Sequence, residues 1–397
     1  MGKPINVRKG EILRLVKEDL HEHYHSDLVT RIQEQGGVLE LPNLHIRLAH
    51  DFGFCDGVKR AIEIAYAAVR AFPDRRIWLI GEIIHNPLVN SRLDAMGLHH
   101  LPWNMDGAGY EALTPEDVVI MPAFGVSVEL REFLDAKGVT LVDSTCGNVV
   151  KVWQRVRDYA NRGITSIIHG KVRHEESVAT ASHSRGDGRT GHFLVIFSKE
   201  DAQVLANYLM GQGDKAAFME RFGKSCSPGF DPDLHLGEIG MANQTTMLKA
   251  ETAEIQRMLR AAVAVRDKGS DARFHAFNTI CSATQDRQDS LYSLLDSDLD
   301  AMFIIGGYNS SNTTHLAAIA ACRKPTFFVK SADCLRSLQE VGCFDPKRKC
   351  EVDVPLPPAA QDFTRPWRIG ITAGASCPDN VIEQVMRRIA ELRQENL

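Results

Sequence analysis

Three cysteines stand where metal chemistry could be done. Cys55, Cys146 and Cys281 each lie between a short β-like run and a helical stretch: LHIRLAHDFGFC before DGVKRAIEIAYAAVRAF, VTLVDSTC before GNVVKVWQRVRDYANRG, and ARFHAFNTIC before SATQDRQDSLYSLL. A thiol at a helix start feels the positive end of the macrodipole and nearby unpaired N–H groups, which favours the metal-binding thiolate. Three thiolates suit a [4Fe-4S] cluster, one per chain, with one iron left open to bind substrate, whereas four-thiolate clusters are electron carriers. A lone cysteine at such a place is ordinarily a small buried hydrophobe. Repetition at three equivalent positions favours ligands instead, although no local C-x2-C pair supports them. Cys226, Cys322, Cys334, Cys343, Cys350 and Cys377 lack this context. The loosely spaced series Cys322, Cys334, Cys343 and Cys350 offers a weaker, second metal reading.

Other strand ends carry polar residues. IWLIGEIIHN brings His85; SIIHGKVRHEES brings His169, His174 and Glu176; MANQTTM brings Gln244, Thr245 and Thr246; FIIGGYNSSNTTH brings Ser310, Ser311 and Asn312; GITAGASCPD brings Ser376. Hydroxyls, amides and helix N-terminal N–H groups at such places make a phosphate pocket without a P-loop lysine. Neither G-x-x-x-x-G-K-[ST] nor a G-x-G-x-x-G after a strand occurs, so a nucleotide site of those kinds is not expected. Taken singly, the hydroxyls read as helix N-caps, His85 as a hydrogen-bonded histidine and Glu176 as a solvated carboxylate. The convergence of five such loops with three cysteines carries the functional reading.

These residues must be positioned by α/β units. After a charged, helix-prone stretch that ends at Gly36, Gly37 and Pro42, β-rich runs alternate with amphipathic helical stretches, the pattern of parallel sheets. Strands are predicted at LHIRLAH, RIWLIG, DVVIMPA, VTLVDS, TSIIHG, FLVIFS, AMFIIGG, PTFFVK and RIGITA. Three strand-Cys-helix units suggest three α/β lobes, whose strand ends could present the three thiolates together. The expected division is an N-terminal helical extension over 1–44, a first lobe with Cys55 over 45–145, and a second with Cys146 over 146–279. A third lobe with Cys281 follows over 280–366, and a closing strand and helix over 367–397. Residues 207–240, rich in Gly, Pro and charge, read as an insertion in the second lobe. Residues 345–366, with Pro355, Pro357, Pro358 and Pro366, read as an extended connector.

Bulk properties narrow the partners. The chain has 397 residues, 44% hydrophobic and 24% charged, and a formal net charge of -5. That balance gives no general attraction to nucleic acid or anionic membrane. No run approaches the roughly 18 apolar residues of a membrane span, and the N-terminal sequence lacks an apolar signal core. Nine cysteines without a secretion signal point to reduced thiols and a cytoplasmic setting.

Eight motifs in order then carry a resemblance: GFCDGVKRAI, GEIIHNPLVNSRL, VDSTCGNVVKVW, HGKVRHEESVAT, NQTTM, NTICSATQDRQ, GGYNSSNTTHL and TAGASCPD. From about residue 46 to 390 the sequence resembles the 4-hydroxy-3-methylbut-2-enyl diphosphate reductases, the last enzymes of the methylerythritol phosphate route to isoprenoids. The HGK-x-x-HEE-x-x-AT version and the middle insertion resemble the plant and cyanobacterial branch. The resemblance implies a trefoil of three α/β lobes with small, mainly parallel sheets around a central [4Fe-4S] cluster on Cys55, Cys146 and Cys281, and a substrate diphosphate held by His85, His174, Ser310, Asn312 and Ser376. It also implies that Thr245 lies beside the reacting hydroxyl, with Glu176 as proton source and ferredoxin or flavodoxin as electron donor. Two departures stand out: Phe124 replaces a histidine carried by many bacterial members, and Gly147 follows the second cysteine where proline is common.

Two alternatives remain at this level. A quinolinate-synthase-like dehydratase would call for arginine clamps on carboxylates, where these loops carry His, Ser, Asn and Thr. A non-catalytic iron-sulfur sensor would call for a nucleic-acid or protein-binding module, and no basic helix-turn-helix is visible.

Overall fold

The computed structural model describes residues 4–277 and 279–397. Residues 1–3 of the N-terminal segment and Asn278, the first residue of the NTICSATQDRQ motif, lie outside the described residues.

Short strands rich in β-branched residues build sheets covered on both faces, as parallel sheets require. Ala301–Ile305 and Ile239–Asn243 are buried at every position. One sheet has the order Val38–Glu40, Leu44–Leu48, Trp367–Ala373, Ala301–Ile305, Thr326–Val329, parallel except for the antiparallel edge pair at Val38–Glu40. A second runs His99–Leu101, Ile77–Ile80, Val118–Met121, Thr140–Asp143, all parallel. The third runs Phe274–Ala276, Ile239–Asn243, Thr165–His169, Phe193–Ile196, again all parallel. The α/β class with small, mainly parallel sheets and three lobes is therefore what the chain forms.

The chain divides into two compact units. The first holds Asp74–Gly81, His99–Cys281 and the residues up to Asn6, and so contains the second and third sheets. Residues 207–240 are part of its core: Phe218, Phe222 and Phe230 are buried against Ile167, Leu205 and Ile239. Helix Lys215–Phe222 brings the first two of those rings inward, and Phe230 stands just before the short helix Pro232–His235.

The second unit holds Val7–Pro73, Glu82–Leu98 and Ser282–Leu397, with the five-stranded sheet. Its N-terminal segment forms helices Gly10–Tyr24 and Asp27–Glu34. The first is tied to helix Asp56–Ala71 by Arg70 donating to both carboxylate oxygens of Asp19, at 2.9 and 2.7 Å, and by the Tyr24 and Tyr66 hydroxyls, 3.0 Å apart. Residues 345–366, read from the sequence as a connector, are more ordered than that. Strand Cys350–Val354 pairs antiparallel with Val341–Asp345, and a short helix spans Pro358–Gln361. The prolines lie outside the strand, and the strand's own side chains are mostly exposed, so it lacks the apolar signature of its neighbours.

Candidate functional site

The first unit gathers an acid, a hydroxyl and two cysteine loops. Helix Glu175–His183 starts right after strand Thr165–His169 and its loop, which puts Glu176 in the first helical turn, where a carboxylate is favoured by the helix dipole. Glu176 is only 2% exposed. Its Oε1 accepts the Thr245 N–H at 2.6 Å and its Oε2 accepts the Thr245 hydroxyl at 3.1 Å. Thr245 in turn accepts the Cys281 N–H on its carbonyl at 3.2 Å. One carboxylate, one hydroxyl and one of the repeat cysteines thus follow each other through hydrogen bonds and backbone. Gln244 braces the same corner. Its Oε1 accepts from Lys171 N at 3.1 Å and from the Ser177 hydroxyl at 3.4 Å, while its Nε2 donates to Thr246 Oγ1 at 2.9 Å.

His174 caps helix Glu175–His183, its Nδ1 accepting the Glu176 N–H at 3.2 Å. A backbone N–H can only donate, so Nδ1 must present its lone pair and the ring proton sits on Nε2. In this arrangement His174 carries its N–H on the other ring nitrogen. Phe124 meets it edge-on, with ring centroids 5.8 Å apart and planes at 83°. The residue that replaces an imidazole here packs against the imidazole that remains. His169 is fully buried and structural, bonded to Thr252 Oγ1 at 2.9 Å and Phe197 O at 3.2 Å.

The second unit interlocks three of the polar loops. Ser310 caps helix Ser311–Ala321, accepting the Thr313 N–H at 3.3 Å. Asn312 Oδ1 accepts the Ala375 N–H at 3.0 Å, Ser376 Oγ donates to His85 O at 3.1 Å, and Asn86 Nδ2 donates to Ser376 O at 2.7 Å. Ser310, Ser311, Asn312 and Ser376 are all buried. A Cβ at Gly307 would lie 2.8 Å from His85 O, so only glycine lets the two loops approach this closely. His85 Nδ1 faces Glu82 Oε2 at 2.9 Å, and a carboxylate can only accept, so Nδ1–H donates. The same carboxylate oxygen accepts from Asn309 Nδ2 at 2.8 Å. Glu82 and Asn86 were not singled out in the sequence. The Asn-Pro step marked Asn86 as a helix start, but nothing local marked Glu82 as the partner of a loop two hundred residues away.

The cysteines occupy the helix starts that the sequence suggested. Cys55 caps helix Asp56–Ala71, its sulfur 3.4 Å from the Val58 N–H, and its own N–H donates to Ala375 O at 3.2 Å beside Ser376. Cys146 stands at the N-cap position of helix Gly147–Asn161, and Cys281 precedes Ser282–Leu295. All three are half-buried and none of the nine cysteines is disulfide-bonded. Soft sulfur donors, partly shielded from water and placed at helix N-termini, fit the chemistry of an iron-sulfur cluster. Cys322 and Cys350 are exposed while Cys334 and Cys343 are buried, and these four do not gather as a ligand set among the described residues.

Comparison with known proteins decides the lineage. The model of the family described as LytB protein matches residues 46–390. The chain belongs to the LytB family. LytB relatives cover nearly its whole length. It is 42% identical over 392 residues to the 4-hydroxy-3-methylbut-2-enyl diphosphate reductase of Synechococcus sp. (strain WH7803), covering 96% of this chain and 94% of that one. It is 44% identical over 387 residues to the enzyme of the same name from Thermosynechococcus vestitus (strain NIES-2133 / IAM M-273 / BP-1), covering 95% and 92%. Among solved structures, an (E)-4-hydroxy-3-methyl-but-2-enyl diphosphate reductase, the terminal enzyme of the non-mevalonate pathway, aligns at TM-score 0.53 and 28% identity, covering 87% of this chain and 99% of that one. The E-1-hydroxy-2-methyl-but-2-enyl-4-diphosphate reductase from Plasmodium falciparum, at 20% identity and TM-score 0.65 over 90% and 92%, shares the LytB fold.

Proposed function

We propose that this LytB chain reduces 4-hydroxy-3-methylbut-2-enyl diphosphate to isopentenyl and dimethylallyl diphosphates, the last step of the methylerythritol phosphate route. The observation that carries the reading at the level of chemistry is the buried Glu176–Thr245 pair next in line to Cys281. Membership of the LytB family disfavours both the dehydratase and the sensor alternatives.

The reaction removes an allylic hydroxyl with two electrons and two protons, and its obstacle is that hydroxide leaves poorly. A [4Fe-4S] cluster held by Cys55, Cys146 and Cys281 would supply single electrons and, at an iron without a protein ligand, Lewis-acid polarisation of the substrate oxygen. The chain's own residues supply protons and grip. Glu176, once protonated, donates from its carboxyl to Thr245 Oγ1, whose hydroxyl hydrogen then turns toward the departing oxygen. General-acid catalysis of this kind is worth about 10²- to 10⁴-fold. Ser310, Asn312 and Ser376 offer hydroxyl and amide groups to the diphosphate, with Gln244 and Ser311 bracing the loops. His174 adds an Nε2–H donor, and His85 an Nε2 that donates when protonated.

Electrons come one at a time from a ferredoxin or flavodoxin, which suits a chain without a dinucleotide fingerprint. A reducing, cytoplasmic setting suits nine thiols without a disulfide. Among the described residues no helix is long and apolar enough to cross a membrane. The test is anaerobic protein, reduced with dithionite and given the hydroxylated diphosphate. Both five-carbon diphosphates are expected, and their absence from cluster-loaded protein would contradict the proposal.

A further inference from the structure

The N-terminal segment carries the run HEHYHSD, with His21, His23, His25 and Asp27 within seven residues. His21 and His25 are four apart across the end of helix Gly10–Tyr24, so they share one face. Their rings stack with centroids 4.2 Å apart and planes at 30°. Asp27 opens the next helix, Asp27–Glu34, and its Oδ1 lies 3.1 Å from His25 Nε2. One ligand atom from each of the three residues lies within 4.8 Å of the other two.

The backbone beneath is fixed. Tyr24 and Ser26 are 4% and 2% exposed. Ser26 Oγ accepts the Val29 N–H at 3.0 Å and donates to Glu383 Oε2 at 2.6 Å. Asn380 Nδ2 donates to His23 O at 2.8 Å, and the His23 ring is engaged elsewhere, its Nδ1 3.0 Å from the Tyr66 hydroxyl. Only the outward side chains of His21, His25 and Asp27 need to turn to close on an ion.

From this geometry we propose that His21, His25 and Asp27 form a surface site for one divalent transition-metal ion, separate from the three cysteines. Two imidazole nitrogens and one carboxylate oxygen select zinc, nickel, copper or cobalt over magnesium and calcium, which demand oxygen donors. Ligand atoms bound at about 2.0–2.1 Å around a tetrahedral ion stand roughly 3.4 Å apart, within reach of small side-chain rotations. The carbonyls at the end of helix Gly10–Tyr24 add negative potential where the cation would sit. Water completes the coordination. A bound ion would clip the end of the first helix to the start of the second, which the solvent-screened His25–Asp27 pair does only weakly.

The site is tested on the full-length holoprotein, free of any affinity tag and kept anaerobic. Nickel chloride is titrated by calorimetry while visible absorbance follows the cluster. One saturable site is expected, with absorbance unchanged. His21→Ala and His25→Ala should each weaken it by at least about tenfold, Asp27→Asn should weaken it to a lesser degree, and the exposed-residue control His99→Ala should leave it intact. All three ligand substitutions are at outward side chains, and circular dichroism confirms that the helices persist. Absence of saturable binding to the parent protein, or equal affinity in His21→Ala, would overturn the proposal.

Discussion

Glu176 grips Thr245 at two points, the backbone N–H on one carboxylate oxygen and the side-chain hydroxyl on the other. Glutamine keeps the shape and the N–H acceptor but offers no proton at working pH. Glu176→Gln is therefore expected to keep its iron and to lose about 10²- to 10⁴-fold in turnover. Dithionite-driven product formation, set against iron content, checks this; full activity would remove Glu176 from the proton path.

The hydroxyl of Thr245 is separable from its backbone role. Thr245→Val retains the N–H bonded to Glu176 but deletes the relay oxygen, whereas Thr245→Ser retains both. A fall in kcat of about tenfold or more in the valine variant, with recovery in the serine variant, is the expected pattern. Equal loss in both would mean that Thr245 acts through packing.

His183 makes acid stability testable. Burial first, and Arg157 second, bring its pKa down to about 4 from 6.5. Its Nδ1 accepts from Arg157 Nη2 at 2.9 Å, which requires a neutral ring nitrogen, and its ring stacks on Trp153 at 4.2 Å. Between pH 6.5 and 4 the unfolded chain binds a proton there that the folded chain refuses. Stability should thus fall as pH drops through that window and level off below it. At about 1.4 kcal/mol per tenfold, the loss from this group approaches roughly 3 kcal/mol. Denaturant unfolding of parent and His183→Gln at several pH values should show a shallower slope in the variant; parallel slopes would assign the acid sensitivity elsewhere.

Arg393 closes the second unit. Fully buried, it donates to the carbonyls of Asn43, Ala360, Asp362 and Arg365 at 2.7–3.2 Å and lies over Phe363. Arg393→Ala strands those carbonyls and opens a cavity, at an expected cost of about 3 kcal/mol or more. A thermal unfolding midpoint unchanged by the substitution would contradict this.

Much of this architecture was legible because it is local. A β-run ending in cysteine with a helix after it needs only neighbouring residues to be recognised, and Asn86–Pro87 announces its own helix start. Long-range pairings left no such trace. Strand Leu44–Leu48 finds its neighbour in Trp367–Ala373, over three hundred residues on. Glu82 reaches His85 and Asn309 only once two loops have met, and the tautomer of His174 depends on a single N–H that no motif reveals. The strand Cys350–Val354 was hidden by its exposed, charged side chains and by the prolines after it. Phe124 was recognised as a departure, but its edge-on contact with His174 exists only in three dimensions.

The central claim is that Cys55, Cys146 and Cys281 together hold one iron-sulfur cluster. It is tested most directly by iron and acid-labile sulfide counts on anaerobically purified protein and on the three single Cys→Ser variants. About four irons and four sulfides per chain are expected in the parent, with a visible absorbance from the cluster, and loss or instability of both in every variant. Full iron in any one of the variants, or zinc alone in the parent, would contradict it.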